Sequence, residues 1–177
     1  MASHQTRCEQ IMKEHQVVIS VLQTRAMRIN AALTFWKSKD FTQLISYLLR
    51  TNDDSLFVDI LPFLTKSLTE NEKQKQPVTL GVCLELLPIL ERLLTKKYEE
   101  YVVVSLDLIR TMMKTWYREL YNMKQHENNL PLNSSLSLPP IYVKLMSLNE
   151  LVERLSKKSG TTATKAKVVH EILNQLM

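Results

Sequence analysis

The chain reads as an all-α fold, an antiparallel array of about seven helices with HEAT- or armadillo-like stacking. Two observations carry this reading. Its 177 residues include only 2 glycines against 45% hydrophobic residues, with Leu, Met, Lys, Glu and Gln abundant. That composition favours helices and leaves little for the tight turns of hairpins. Apolar residues also recur three and four positions apart over long stretches, as they do on helices that bury one face. The centre of the array falls on Leu87–Val102, LPILERLLTKKYEEYV, where one apolar helix closes and the most aromatic one opens.

A first helix is expected from about Arg7 to Trp36, roughly 45 Å long at 1.5 Å per residue. His15, Leu22, Ile29 and Trp36 recur every seven residues, and Ile11, Val18, Val21, Ala32 and Leu33 widen the stripe. This face should be continuously apolar apart from Arg25, with His15 as a hydrogen-bonded histidine at the core edge. Residues 1–14 read as an N-terminal extension of the helix, and residues 15–177 as the domain proper. Asp40 starts a second helix with Gln43 as its capping-box partner. Its apolar face is Phe41, Leu44, Ile45, Leu48 and Leu49. Thr51–Asp54 breaks it, and Asp53 or Asp54 caps a third helix that carries Leu56, Phe57, Ile60, Leu61 and Leu64, with Pro62 inside. The stretch Thr69–Gln76 holds no apolar residue and reads as a solvent loop.

The fourth helix should start near Pro77. Cys83, Leu87, Leu90 and Leu94 form one stripe and Val82, Leu86, Ile89 and Leu93 another. A helix apolar around most of its girth is a buried one, here bent at Pro88. Asp59–Leu68 and Glu85–Leu94 echo each other in register; a repeat and a coincidence in a Leu-rich chain account for this equally well. A fifth helix, Lys97 to Gln125, contains neither Gly nor Pro. The segment Glu127–Pro140 follows as a loop pinned to the bundle by Leu130, Leu132, Leu136 and Leu138. A sixth helix presents Leu145, Leu148, Leu151, Val152 and Leu155, and Gly160 suits its left-handed stop. Thr161 or Thr162 then caps a last helix with Val168, Val169, Ile172, Leu173 and Leu176 as its face.

The expected chemistry is non-catalytic, with no catalytic, cofactor-binding or metal-binding residues. Gly81 and Gly160 each stand alone, so no glycine loop cradles a phosphate. His170-Glu171 is followed by Asn174, and the zinc-protease pattern HExxH therefore lacks its second histidine. Acid pairs at Asp53-Asp54 and Glu99-Glu100 sit at helix starts, where the helix dipole accounts for them. Cys83 reads as a small buried hydrophobe and Cys8 as a reduced surface thiol. The N-terminus lacks a signal peptide's apolar segment, and no apolar run approaches the roughly 20 residues of a membrane span. An intracellular protein is expected, with no membrane association. The sequon at Asn133-Ser134-Ser135 should then stay unmodified.

The net charge of +5 is concentrated late, in Arg154, Lys157, Lys158, Lys165 and Lys167. A solvated face and a site for an acidic partner are both open readings. Nucleic acid is disfavoured as a partner because no aromatics interleave the basic run. The expected partner-binding residues are Lys97, Tyr98, Glu100 and Tyr101, together with Arg154, Lys157 and Lys158. Tyr101 is the main choice, since an aromatic amid a polar rim has the composition of an interface hot spot.

The central stretch also carries a resemblance. Leu87-Pro88, Glu91, Leu93-Leu94, Lys97-Tyr98-Glu99 and Tyr101-Val102 resemble the conserved C-terminal domain of the katanin regulatory subunit. Arg25, Trp36, Asp40, Asn52-Asp53, Ser55, Val58-Asp59, Ser105-Leu106, Leu108-Ile109 and Lys158-Ser159-Gly160 extend it over most of the chain from about His15. The motif KYExYV is its most specific part. The resemblance implies a helical array that binds the N-terminal helical (MIT-like) domain of the microtubule-severing ATPase. It further implies that the joint unit recruits factors at microtubule minus ends and spindle poles. The family's main member has a WD-repeat propeller that nothing here resembles, so the chain reads as a propeller-less member or a fragment. The expected role is an adaptor that modulates severing, in the cytoplasm at the cytoskeleton and spindle pole. A nuclear pool is compatible with its small size and basic charge. The alternatives are a generic helical scaffold or a nucleic-acid-associated protein using the basic C-terminal segment.

Overall fold

Short polar side chains and left-handed residues set several of the helix ends. Asp40 Oδ1 accepts from the Gln43 backbone amide at 3.0 Å, but the expected capping box is half-formed, because the Asp40 amide donates to the Phe35 carbonyl at 3.1 Å instead of to the Gln43 side chain. Asp53 Oδ1 accepts from the amides of Ser55 and Leu56 and from the Ser55 hydroxyl. Lys39 and Asn52 adopt positive φ, 58° and 47°, so each turns the chain just beyond a helix end. Together these signals define a computed structural model that describes residues 2–70, 78–128 and 139–177. Nine helices and no strand occur among the described residues. They are α1 (Ala2–Lys37), α2 (Phe41–Thr51), α3 (Asp54–Glu70), α4 (Leu80–Leu94), α5 (Glu99–Thr115), α6 (Tyr117–Asn128), α7 (Pro140–Ser147), α8 (Asn149–Ser156) and α9 (Gly160–Leu176). The fold class is all-α, as the composition predicts.

The chain divides into two compact units, residues 1–51 and 52–177. In the first unit the end of α1 packs on α2. The Phe35 and Tyr47 rings lie 5.6 Å apart and those of Trp36 and Phe41 5.2 Å apart. Tyr47 also donates to the Arg28 carbonyl at 3.3 Å. Ahead of this contact, every residue from Thr6 to Met27 is exposed. The leading turns of this long helix therefore project with their apolar stripe open: Ile11, Val18, Val21 and Leu22 keep 55–60% of their surface exposed. His15 stands in solvent rather than at a core edge. The stripe keeps its helical period, but a period does not say what covers it.

In the second unit α5 is the hub, packing on α3, α4, α6 and α9. These contacts converge on one helix and do not by themselves establish HEAT- or armadillo-like stacking, in which each unit meets its neighbours in turn. Leu87, Leu94, Leu108 and Met112 are buried as expected. The two echoing segments also bury corresponding residues, with Ile60, Leu61, Leu64 and Leu68 matching Leu86, Leu87, Leu90 and Leu94.

Charged clasps tie the elements together. Asp54 holds Arg92 at 2.5 Å and Lys96 at 2.7 Å, linking the start of α3 to the end of α4. Arg92 also donates to the Asn52 side chain at 2.7 Å. Glu91 pairs with Lys144 on α7, and the Tyr142 hydroxyl donates to the Leu176 carbonyl at 2.6 Å.

Several boundaries differ from those the sequence predicts. The long helix from Lys97 begins only at Glu99 and breaks at Trp116, whose φ/ψ of −109°/27° leaves the helical region. Trp116 and Leu120 are both buried, and the break lets α6 redirect its one apolar edge inward. The helix after Pro140 breaks likewise at Leu148, where a tightened turn separates α7 from α8. Neither break has a Gly or Pro to announce it. Gly160 is left-handed at φ 79°, but it opens α9 after Ser159, so neither Thr161 nor Thr162 is the cap. Helix α3 continues through Thr69 and Glu70, and α6 through Glu127 and Asn128. Helix α4 is capped by Thr79, whose hydroxyl accepts from Val82 N. Pro77, the remainder of the 69–76 segment, the sequon and the four loop leucines lie outside the described residues.

Leu108 is 1% exposed at the centre of the second unit. Leu108→Ala should destabilise the fold by about 2–5 kcal/mol in urea denaturation, the usual cost of a core cavity. The Asp54 clasp gives a pH signature. Partial burial pushes this carboxyl up, but the hydrogen bonds and charges of Lys96 and Arg92 outweigh it and hold it below its ordinary 3.8. A carboxyl depressed in the folded state contributes stability above its unfolded value and loses it as pH falls through the folded one. Stability should therefore drop on acidification below about pH 4, and less steeply in Asp54→Asn.

Candidate interaction surface

The KYExYV motif forms the entry to α5. Tyr98 is the residue before the helix, extended at φ/ψ −84°/121°, and makes no side-chain cap. Glu99 and Glu100 fill the first turn, where carboxylates favour the positive end of the helix dipole. This leaves the Tyr98 ring 56% exposed, with Tyr101 half-buried one turn on. The two rings lie 5.4 Å apart, and Lys97 Nζ stands 5.1 Å from the Tyr98 ring centroid. A cation over an exposed ring contributes about 0.5–1 kcal/mol and orients both groups. Lys97 and Glu100 are exposed beside them. Tyr101 therefore spans the boundary: its carbonyl accepts from the buried Ser105 hydroxyl at 2.8 Å, while part of its side chain faces out.

The turn after the second predicted cluster approaches this one. Gly160 opens α9 against the start of α5, so that a Cβ on it would stand 3.8 Å from Glu99 Oε1. The turn carrying Lys157 and Lys158 thus lies at the same end of the unit as Lys97 and Tyr98. Arg154, Lys157 and Lys158 are all exposed. Lys157 pairs with Glu153 at 2.7 Å. That hydrogen bond, with the lysine charge, holds the Glu153 carboxyl below its ordinary range.

The basic run is not one surface. Lys165 turns inward to grip both carboxylate oxygens of Asp107, at 2.6 and 2.8 Å. Sequence spacing does not reveal this pair, because the two residues lie 58 positions apart.

The groups that could suggest catalysis have structural partners. His170 Nδ1 lies 3.0 Å from Asn149 Oδ1, and its Nε2 lies 3.1 Å from Asn174 Nδ2. Both ring nitrogens thus have amide side chains as hydrogen-bond partners. Asn174 occupies the place of the second histidine in HExxH and serves the first as a hydrogen-bond partner. Cys83 is buried, and burial pushes its thiol up to about 12, far from a reactive thiolate. No group of three or more His, Cys, Asp or Glu side chains among the described residues could hold a metal. No described helix is long and apolar enough to cross a membrane.

The model for the con80 domain of katanin matches residues 13–173. The chain is 35% identical over 167 residues to the mouse protein named KATNB1-like protein 1, covering 94% of this chain and 53% of that one. It is 24% identical to the katanin p80 WD40 repeat-containing subunit B1 of Xenopus tropicalis, covering 94% of this chain and 25% of the relative. An Arabidopsis homologue of that subunit, KTN80.2, is 25% identical over 93% of this chain and 14% of its own length. The chain thus spans about half of the mouse relative and a quarter or less of the p80 subunits. With the family model covering nearly all of an all-helical chain whose KYExYV motif sits at the entry to its central helix, this protein belongs to the katanin con80 domain family.

Proposed function

We propose that this chain is a non-catalytic adaptor that binds the N-terminal helical domain of a katanin-type microtubule-severing ATPase and modulates severing. The observation that carries this reading is the open face of α1. A 36-residue helix is about 54 Å long, and Ile11, Val18, Val21 and Leu22 on it remain more than half exposed. An apolar row at helical spacing is what an incoming helix needs, because its own apolar face then buries against an interdigitating surface. Membership of a family whose relatives are named as katanin subunits supports a katanin ATPase subunit as the partner. The structural roles of His170 and Cys83 support the absence of turnover. The setting that follows is the cytoplasm, at the cytoskeleton and spindle pole, with a nuclear pool.

The Tyr98–Tyr101 end is the second surface of this reading, suited to a spindle-pole or minus-end factor. What favours it is the Glu99–Gly160 approach, which brings the turn carrying Lys157 and Lys158 to the end of the unit that carries the two rings. Its residues are Lys97, Tyr98, Glu100, Tyr101, Arg154, Lys157 and Lys158.

Two measurements test the two surfaces. Replacing Val18 and Leu22 together by Asp should abolish capture of the ATPase N-terminal domain and leave helicity unchanged, since both side chains are already in water. Capture at wild-type strength would remove α1 from the interface, and no capture by the wild-type chain would sink the adaptor reading itself. Tyr101→Ala should weaken association with the minus-end or spindle-pole factor by about 2 kcal/mol, as hot-spot truncations do. Its melting temperature should stay near that of wild type; an unfolded variant would make Tyr101 a core residue.

A further inference from the structure

Three helices of the second unit enclose an open groove of about 320 Å³. Its lining is Pro62, Thr65 and Lys66 of α3, Val104, Asp107 and Arg110 of α5, and Lys165 of α9. Thr65 and Lys66 lie three and four positions after Pro62 on α3, and Val104, Asp107 and Arg110 recur every three on α5, so each helix presents one line to the space. The floor is small and partly apolar, and the walls carry three cations against one carboxylate. That carboxylate is already engaged, because both Asp107 oxygens accept from Lys165 Nζ at 2.6 and 2.8 Å. The pair fixes Lys165 in the wall and offsets the one negative charge, while Arg110 stays exposed on the solvent line of α5.

From this arrangement we infer that the α3/α5/α9 groove binds an acidic peptide segment of a partner protein. Its volume, near the lower end of the roughly 300–1,000 Å³ typical of ligand sites, holds a few side chains rather than a folded surface. Arg110 supplies a planar fork that a carboxylate can meet through two hydrogen bonds, and Lys66 on α3 adds positive charge across the groove, while the Lys165–Asp107 pair is neutral overall. Pro62 and Val104 give the peptide's aliphatic carbons an apolar rest. A nucleic acid fits less well. No aromatic side chain lines the groove for a base to stack on. The inference rests on the groove's own chemistry and not on the ATPase reading, and its test contains no ATPase.

The test uses the full chain and a fluorescein-labelled peptide of alternating glutamate and alanine, followed by fluorescence anisotropy. A glutamine–alanine peptide of equal length serves as the uncharged counterpart. The glutamate peptide should bind, weaken as salt rises, and bind Arg110→Glu about tenfold more weakly than wild type. Lys124→Glu makes the same charge change on α6, where Lys124 reaches the Gln175 carbonyl near the far end of α9. It should stay within about twofold of wild type. Amide shifts of the wild-type chain on titration give a reading that needs no variant, and the largest should fall on Thr65, Val104, Asp107 and Lys165. Equal weakening by the two variants would mean attraction by overall charge and overturn the site. So would equal binding of the glutamine peptide, shifts centred elsewhere, or a DNA oligonucleotide that displaces the peptide from these same residues.

Discussion

Helix α5 has to satisfy several neighbours at once, and most of the second unit follows from how it does so. Val102, Ser105, Leu106, Leu108, Ile109, Met112 and Met113 are all buried on it. Ser105 is the small polar member of this set, and it avoids the cost of an unmet hydroxyl by donating to the Tyr101 carbonyl one turn back. Burial on so many sides leaves α5 only a narrow solvent line through Glu100, Asp107, Arg110 and Lys114. Every polar feature that α5 offers therefore lies on that line or at its entry. The charged clasps at Asp54, Glu91 and Asp107 are partly exposed. Pairs of that kind add little stability each, so they fix the register between helices that the apolar core holds together.

The caps and the core were largely legible in the residues. Asp40 and Asp53 cap as their positions imply, because a short carboxylate before an apolar run has amide hydrogens within reach. Gly160 takes the left-handed conformation that its lack of a Cβ permits. The apolar faces of α4 and of the middle of α5 are buried where their spacing places them, as is that of α2 except for Leu49, which stays 38% exposed. What stayed hidden were breaks made by ordinary residues. Trp116 and Leu148 interrupt helices for the sake of tertiary burial, and no local propensity records that.

The surfaces divide in the same way. KYExYV and the KKSG turn could each be singled out along the chain, but only the fold shows them meeting through Glu99 and Gly160. The basic run looked continuous because neighbours in sequence were read as neighbours in space. Folding sends Lys165 to Asp107 and leaves Lys157 with Glu153, so one apparent patch becomes two local arrangements. The face of α1 illustrates the opposite limit. Its periodicity is as clear as that of a buried helix, and only the placement of the other elements shows that nothing in the first unit covers its leading turns.

The two thiols differ in a way that reaches beyond packing. Cys83 is sealed in α4 and protonated at any ordinary pH, whereas Cys8 stands in the open near the beginning of α1. An alkylating dye or a nitroxide added to the folded native chain thus has one accessible target. It falls on the exposed helix whose apolar face begins at Ile11, one turn away. The unmodified sequence therefore carries its own attachment point for a spectroscopic reporter, placed where a second protein lying along α1 would change the reporter's tumbling and solvent exposure.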